Sequence, residues 1–260
     1  MARNKIRLGI NIDHIATIKT NRKTPYPSLI EAVKIVEDSG ADLITVHLRE
    51  DRRHIQDQDL KDIKSVAQKL NLEMALTEEM LGICLQTKPN FCCIVPERRE
   101  ELTTEGGLDI SGMTKSKFNF LKEAIDAMSK NNIVPSLFID PDIKQIDSTL
   151  ESGAKCIELH TGTYSDAIDL DHQEMEMSRL KSAAQYASDN KIRVHAGHGL
   201  NLSNLSKVCR ITQIEEVNIG HSVVADSIFK GLKRAVQDFR SALDNDCLLY
   251  TSDAADDQAC

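Results

Sequence analysis

Eight short β-rich runs recur along the chain, each followed by a longer stretch with helical periodicity, and this alternation restricts the fold more than any other feature. The runs are IRLGINI (6–12), LITVHL (43–48), LEMALT (72–77), FCCIVP (91–96), VPSLFID (134–140), CIELHT (156–161), IRVHAG (192–197) and EVNIGH (216–221). Between the first two lies YPSLIEAVKIVEDSGA, with Leu29, Ile30, Val33 and Val36 at helical spacing and Gly40 where a C-cap belongs. MTKSKFNFLKEAIDAMSKNN, DIKQIDSTLESGA and QEMEMSRLKSAAQYASDN repeat the pattern, and SVVADSIFKGLKRAVQDFRSAL reads as a single closing helix. Strands alternating with helices pair in parallel through right-handed crossovers, and eight such units predict one closed (β/α)8 TIM barrel with extra helices over residues 1–243. The competing doubly wound sheet requires a G-x-G-x-x-G after its first strand, and GINIDHIAT does not supply it.

Composition limits the partners. No apolar run approaches the roughly 18 residues that span a bilayer, and MARNKIRLGINI lacks the apolar centre of a secretion signal, so a cytoplasmic protein is expected. The 7 cysteines form no C-x-x-C pair and suit reduced thiols. The formal charge is −8, but the last seventeen residues hold Asp244, Asp246, Asp253, Asp256 and Asp257 without a Lys or Arg; removing those five leaves −3 for the remainder. That balance gives no basic stripe for nucleic acid. The acidic segment 244–260 lacks periodicity and is expected to be disordered.

A barrel keeps its chemistry at the C-terminal ends of its strands, and polar residues gather there. The first run ends in Asn11, Asp13 and His14, the second in His47 and Arg49, and the third carries Glu73 between Leu72 and Met74. The sixth holds Glu158 and His160, the seventh His195 and His198, the eighth Asn218 and then Gly220-His221. Each residue has a structural reading, and Asp140 before Pro141 reads as a helix N-cap. An acid at position 73 must face either the helix layer or the barrel mouth, and the former costs several kcal/mol unless it is paired.

GHG at 197–199 leads to Asn201 and Ser203, either of which could cap the next helix, and GHS at 220–222 leads straight into VVADSIF; backbone amides at such helix starts form an anion site. Arg22, Arg49 and Arg52 are candidates for a second anion grip. His47, His198 and a Glu73 raised by burial suit repeated proton transfer near neutral pH. Two other readings stay open: a metal-assisted hydrolase or isomerase acting on a phosphorylated small molecule, with His47, Glu73, His160 and His198 as ligands, and a phosphate-binding module without turnover. The metal reading lacks an H-x-H or H-E-x-x-H pair.

The motifs GINIDHIAT, VHLREDRRHI, NLEMALTEEM, KPNFCCIVPE, TTEGGLD, HTGTY, AGHGLN and NIGHS, in this order over about residues 6–240, resemble the pyridoxine 5'-phosphate synthase family of vitamin B6 synthesis. The resemblance implies a barrel enzyme without metal or organic cofactor. It would condense 1-deoxy-D-xylulose 5-phosphate with 3-amino-2-oxopropyl phosphate, releasing phosphate and water. It places Asn11, Asp13, His14, Arg22, Arg49, His54 and Thr103 at substrate-binding positions, with Gly199, Gly220 and His221 around the amino ketone phosphate. It makes His47 and Glu73 proton acceptors and His198 the proton donor, and it implies a homo-octamer. His195 departs from the family pattern and stays outside the catalytic set. TTEGGLDISG, after the fourth run, is the expected lid.

Overall fold

The computed structural model describes residues 5–97 and 106–256, with side chains up to residue 245. Its strands are β1 (Arg7–Asn11), β2 (Leu43–His47), β3 (Leu70–Met74), β4 (Phe91–Ile94), β5 (Val134–Ile139), β6 (Cys156–His160), β7 (Arg193–Gly197) and β8 (Ile214–Ile219). They pair in parallel in chain order, and β8 closes on β1 with Gly9 opposite Asn218. The fold is therefore the expected (β/α)8 barrel.

The helices are α1 (Asp13–Arg22), α2 (Leu29–Asp38), α3 (Asp57–Val66), α4 (Glu78–Thr87), α5 (Lys115–Lys130), α6 (Ile143–Ser152), α7 (Gly162–Ser165), α8 (Leu170–Asp189), α9 (Leu205–Cys209), α10 (His221–Lys230) and α11 (Leu232–Asp256). Side-chain oxygens of Ser28, Thr77, Thr114 and Asp169 accept first-turn amides at the starts of α2, α4, α5 and α8, satisfying donors that have no partner within the helix. α1 and the short α7 are additions to the eight-unit plan. They lie directly behind β1 and β6, at the mouth.

Three expectations change. The closing helix is two helices, because Gly231 takes a left-handed φ of 78° between α10 and α11. β3 ends at Met74 rather than 77, since Thr77 caps α4. Asp140 is not the N-cap of α6: Asp142 is, accepting the amide of Lys144 at 2.7 Å. α11 runs past residue 243 as far as Asp256.

The period-two alternation of the strands sorts their side chains into two layers. Leu8, Ile10, Ile44, Val46, Leu72, Ile94, Leu137, Ile157, Val194 and Val217 face outward and pack with Val33, Val36, Leu180 and Phe239 of the helices. This shell between sheet and helices is the hydrophobic core. The inward set is polar to an extent that a packed barrel does not require: Thr45, Asn71, Glu158, His195, Glu216 and Asn218 are all buried. The barrel interior therefore holds a hydrogen-bonded column. At the bottom, Arg7 Nε donates to Glu216 Oε2 at 2.9 Å, and His195 Nδ1 lies 3.1 Å from Glu216 Oε1. Above them, Asn218 Nδ2 donates to Glu158 Oε2 at 2.8 Å, and its Oδ1 accepts from Thr45 at 2.9 Å.

Candidate active site

The column opens at the strands' C-terminal ends into a cavity of about 1070 Å³. On one side, the end of β1 turns into α1 through an Asn-x-Asp pair. Asn11 Oδ1 accepts the Asp13 amide at 2.8 Å, while its Nδ2 reaches Asp13 Oδ2 at 3.1 Å and Glu73 Oε2 at 3.4 Å. The backbone amide of His47 donates to Asp13 Oδ1 at 3.0 Å. Adjacent strands set His47 opposite Glu73 in register. Burial pushes Asp13 up to about 6 against the pull of His47. Burial and the neighbouring carboxylates of Glu158 and Asp13 hold Glu73 well above the ordinary range. Glu73 faces the mouth, which settles its orientation.

His47 Nε2 lies 2.6 Å from Glu97 Oε1, across the end of β3. Beyond it, His14 stands between His54 and His221, with ring centroids 6.0 and 5.4 Å away. Thr17 Oγ1 holds His54 Nδ1 at 2.8 Å, and burial together with His14 lowers His54 to about 4, so it is neutral at physiological pH. Arg49 and Arg53 line this side.

On the opposite side, β7 ends in Gly197, and His198 takes φ 81°, a left-handed backbone that costs a residue with a Cβ of order 1–3 kcal/mol. Thr161 secures it, its hydroxyl reaching the carbonyls of Gly197 at 2.8 Å and His198 at 2.5 Å. His198 contacts His160 edge to face, with centroids 5.2 Å apart. Loss of water around the ring and the neighbouring His160 both lower the pKa of His198. His160 Nδ1 in turn lies 3.1 Å from Asp140 Oδ1, and the same carboxylate accepts the Gly107 amide at 2.9 Å.

Between the two sides, α10 begins at His221 immediately behind Gly220, so its first-turn amides open at the cavity wall beside Gly199 and Leu200. Ser222 Oγ bonds the Leu200 carbonyl at 2.6 Å and ties the two loops together. A helix N-terminus with close backbone approach suits a phosphate group. Asn201 shapes the β7 loop by accepting the Ser203 amide at 2.9 Å, without capping α9 as a terminal residue.

Asn11, Asp13, His14, His47, Arg49, His54, Glu73, His198, Gly199, Gly220 and His221 thus line one cavity. Arg22 does not: it is exposed at the end of α1. Arg52 is turned to Asp57 and Glu79 instead. Thr103, and the start of TTEGGLDISG, lie outside the described residues. His195 sits in the column below the cavity, where burial opposes its charge, but the Cys156 sulfur and Glu216 carboxylate beside it hold its pKa well above the ordinary value. Sequence reasoning names His160 but misses Glu97 and Asp140 as site residues; the acid closing CCIVPE is the available signal for the first. For a divalent ion, Asp13, His47 and Glu73 offer ligand atoms within 4.8 Å of one another, which is the set a metal-assisted mechanism would use.

Comparison with known proteins covers nearly the whole chain. Residues 8–245 match the family model "Pyridoxal phosphate biosynthesis protein PdxJ". The chain is 49% identical over 238 residues to a pyridoxine 5'-phosphate synthase of Photobacterium profundum, covering 91% of this chain and 96% of that one. It is 48% identical over 240 residues to a protein of the same name from Thioalkalivibrio sulfidiphilus, covering 92% and 96%. Among solved structures, the native KDPGal structure superposes with a TM-score of 0.61 at 13% identity, covering 94% and 97%, a likeness of fold alone. By the extent of these matches, the chain belongs to the PdxJ family of pyridoxal phosphate biosynthesis proteins.

Proposed function

We propose that the chain condenses 1-deoxy-D-xylulose 5-phosphate with 3-amino-2-oxopropyl phosphate to pyridoxine 5'-phosphate, releasing phosphate and water. The observation that carries this reading is one cavity with a carboxylate–imidazole cluster on one wall, a separate imidazole on the other, and an open helix N-terminus between them. The amine of one substrate adds to the ketone of the other and loses water to give an imine. Tautomerisation then needs a base at carbon, and ring closure needs acids at departing oxygens. Glu73, raised by burial, takes the proton from carbon when ionised and returns it when neutral, with His47 beside it as second acceptor. His198, across the cavity, protonates leaving oxygen. The amides of Gly199, Gly220 and His221 hold the amino ketone phosphate, and Arg49, with His14 and His54, holds the other substrate.

The decisive assay supplies both substrates in excess EDTA and measures pyridoxine 5'-phosphate and free phosphate. Product forms undiminished, and Glu73→Gln lowers kcat by about 10²–10⁴. No product from folded protein overturns the reading. The Asp13/His47/Glu73 spacing favours the metal-assisted alternative, which predicts loss of turnover in EDTA and recovery on adding a divalent ion. The chain assembles as a homo-octamer in this reading, which sedimentation equilibrium checks.

A further inference from the structure

We infer that Glu97 is a positioning residue that locks His47 in its Nε2–H tautomer, leaving Nδ1 as the basic nitrogen. The inference rests on the reading of His47 as a proton acceptor and adds which of its atoms accepts. Each oxygen of the carboxylate has a partner. Oε1 lies 2.6 Å from His47 Nε2, and Oε2 accepts the backbone amide of Glu50 at 3.0 Å, so both oxygens are committed. The two side chains are only 10% and 4% exposed, which leaves little room for water to replace either partner.

An ionised carboxylate can only accept, so the nitrogen facing it must carry the hydrogen. The hydrogen-bond partners of Glu97 keep it ionised. Oε1 faces the ring nitrogen of His47 and Oε2 accepts the Glu50 amide, and N–H hydrogen bonds of this kind favour the charged form of a carboxylate. The other end of His47 is fixed as well, through its own backbone amide to Asp13 at 3.0 and 3.2 Å. A residue held at its backbone by one acid and at its ring by another has one orientation and one neutral tautomer. Histidine bases oriented in this way lose turnover when the orienting acid becomes an amide, because an amide can either donate or accept and the tautomer is no longer imposed.

The contact also joins two strand ends across a third. Glu97 follows β4, reaches across the end of β3, which carries Glu73, and meets His47 at the end of β2. Its hold on the Glu50 amide ties the loop that carries Arg49 to the same carboxylate.

The test is two-bond 1H–15N correlation NMR on the full chain with selectively 15N-labelled histidine, the His47 signals being identified by their disappearance in His47→Gln. The wild type at pH 8 shows the Nε2–H pattern for His47. An Nδ1–H pattern overturns the proposal, whatever the activity. In steady-state assays Glu97→Gln lowers kcat about 10–100-fold with KM changed less than about threefold, and Glu97→Asp, which keeps the charge, recovers part of the loss. An unchanged kcat in Glu97→Gln refutes the positioning role. Full activity in His47→Gln would instead remove His47 as a base, while the wild-type spectrum would still decide what Glu97 does to its ring.

Discussion

Replacing Glu158 by Gln should stabilise the protein at alkaline pH and not at acid pH. Glu158 lies on β6 within the barrel, 4% exposed, with Asn218 Nδ2 donating to its Oε2 at 2.8 Å. Burial raises its pKa from an ordinary 4.5 to about 7; the nearby His195 opposes this and Glu216 adds to it. A carboxyl with a folded pKa above its unfolded one binds more protons in the folded state, so its contribution to stability falls as pH rises through that window. That rise corresponds to about 3 kcal/mol in full, of which about 1 kcal/mol is already lost at pH 5 and nearly all by pH 8. Gln keeps the oxygen that Asn218 bonds and cannot ionise. Its extra amide hydrogen costs a roughly constant amount at every pH, so the pH-dependent part of the difference is the signal. Urea unfolding from pH 5 to 8 at one protein concentration should show the variant's midpoint gaining on the wild type by somewhat under about 1 M for an m-value near 3 kcal/mol/M. A difference that stays flat across this range, or a variant that loses ground as pH rises, refutes the argument that burial raises this carboxyl.

Two glycines supply further tests. At Gly107 a Cβ would lie 2.2 Å from the backbone nitrogen of Asp140 and 2.4 Å from the carbonyl carbon of Ile139, neither of which can swing aside. Gly107→Ala should therefore cost about 1–3 kcal/mol, and an unchanged melting temperature would show that the loop after β4 relaxes freely. Gly199 has φ 72° and room for no Cβ, which would fall 2.6 Å from Ser165 Cβ. Gly199→Ala should raise KM for the amino ketone phosphate by about tenfold, about 1.4 kcal/mol, with a smaller effect on the other substrate; equal effects on both would remove this loop from the phosphate site.

The strands were legible because parallel barrel strands are covered on both faces and so appear as short, nearly continuous apolar runs. Their ends were harder to read. Ala75 and Leu76 prolong the apolar run of β3, but Thr77 already serves α4, so the sheet stops at Met74. At β8 the Gly220-His221 pair belongs to the helix start and the strand lies two residues earlier. Residues on or just beyond strand ends, such as Glu73 and His198, are readable as candidate site residues lining the cavity because period two and strand polarity determine where they point. Asp140 looks like a cap because it stands in a local Asp-Pro pair, whereas its partners, His160 and the Gly107 amide, come from separate segments of the chain. Glu97 and Arg22 show the same limit from opposite sides. Only the side-by-side pairing of β2, β3 and β4 brings Glu97 to His47 across a third strand, and only the orientation of α1 turns Arg22 away.

Burial is the main reason the acid at the mouth is raised, and the polar column adds to it. Glu216, at the bottom, stays ionised near 2 despite burial, because His195 and Arg7 flank it. Its negative charge then bears on Glu158 one layer up, and Glu158 bears on Glu73 above that. An ion group remote from the cavity thus contributes to the proton affinity of the proposed base through stacked carboxylates on β8, β6 and β3. The consequence is a linked cost: Glu158→Gln relieves strain in the fold but also removes one charge that raises Glu73. The acid limb of the kcat/KM profile, where Glu73 must lose its proton to act on carbon, should move to lower pH in that variant. A profile that does not move would separate the stability of the column from the chemistry at its mouth.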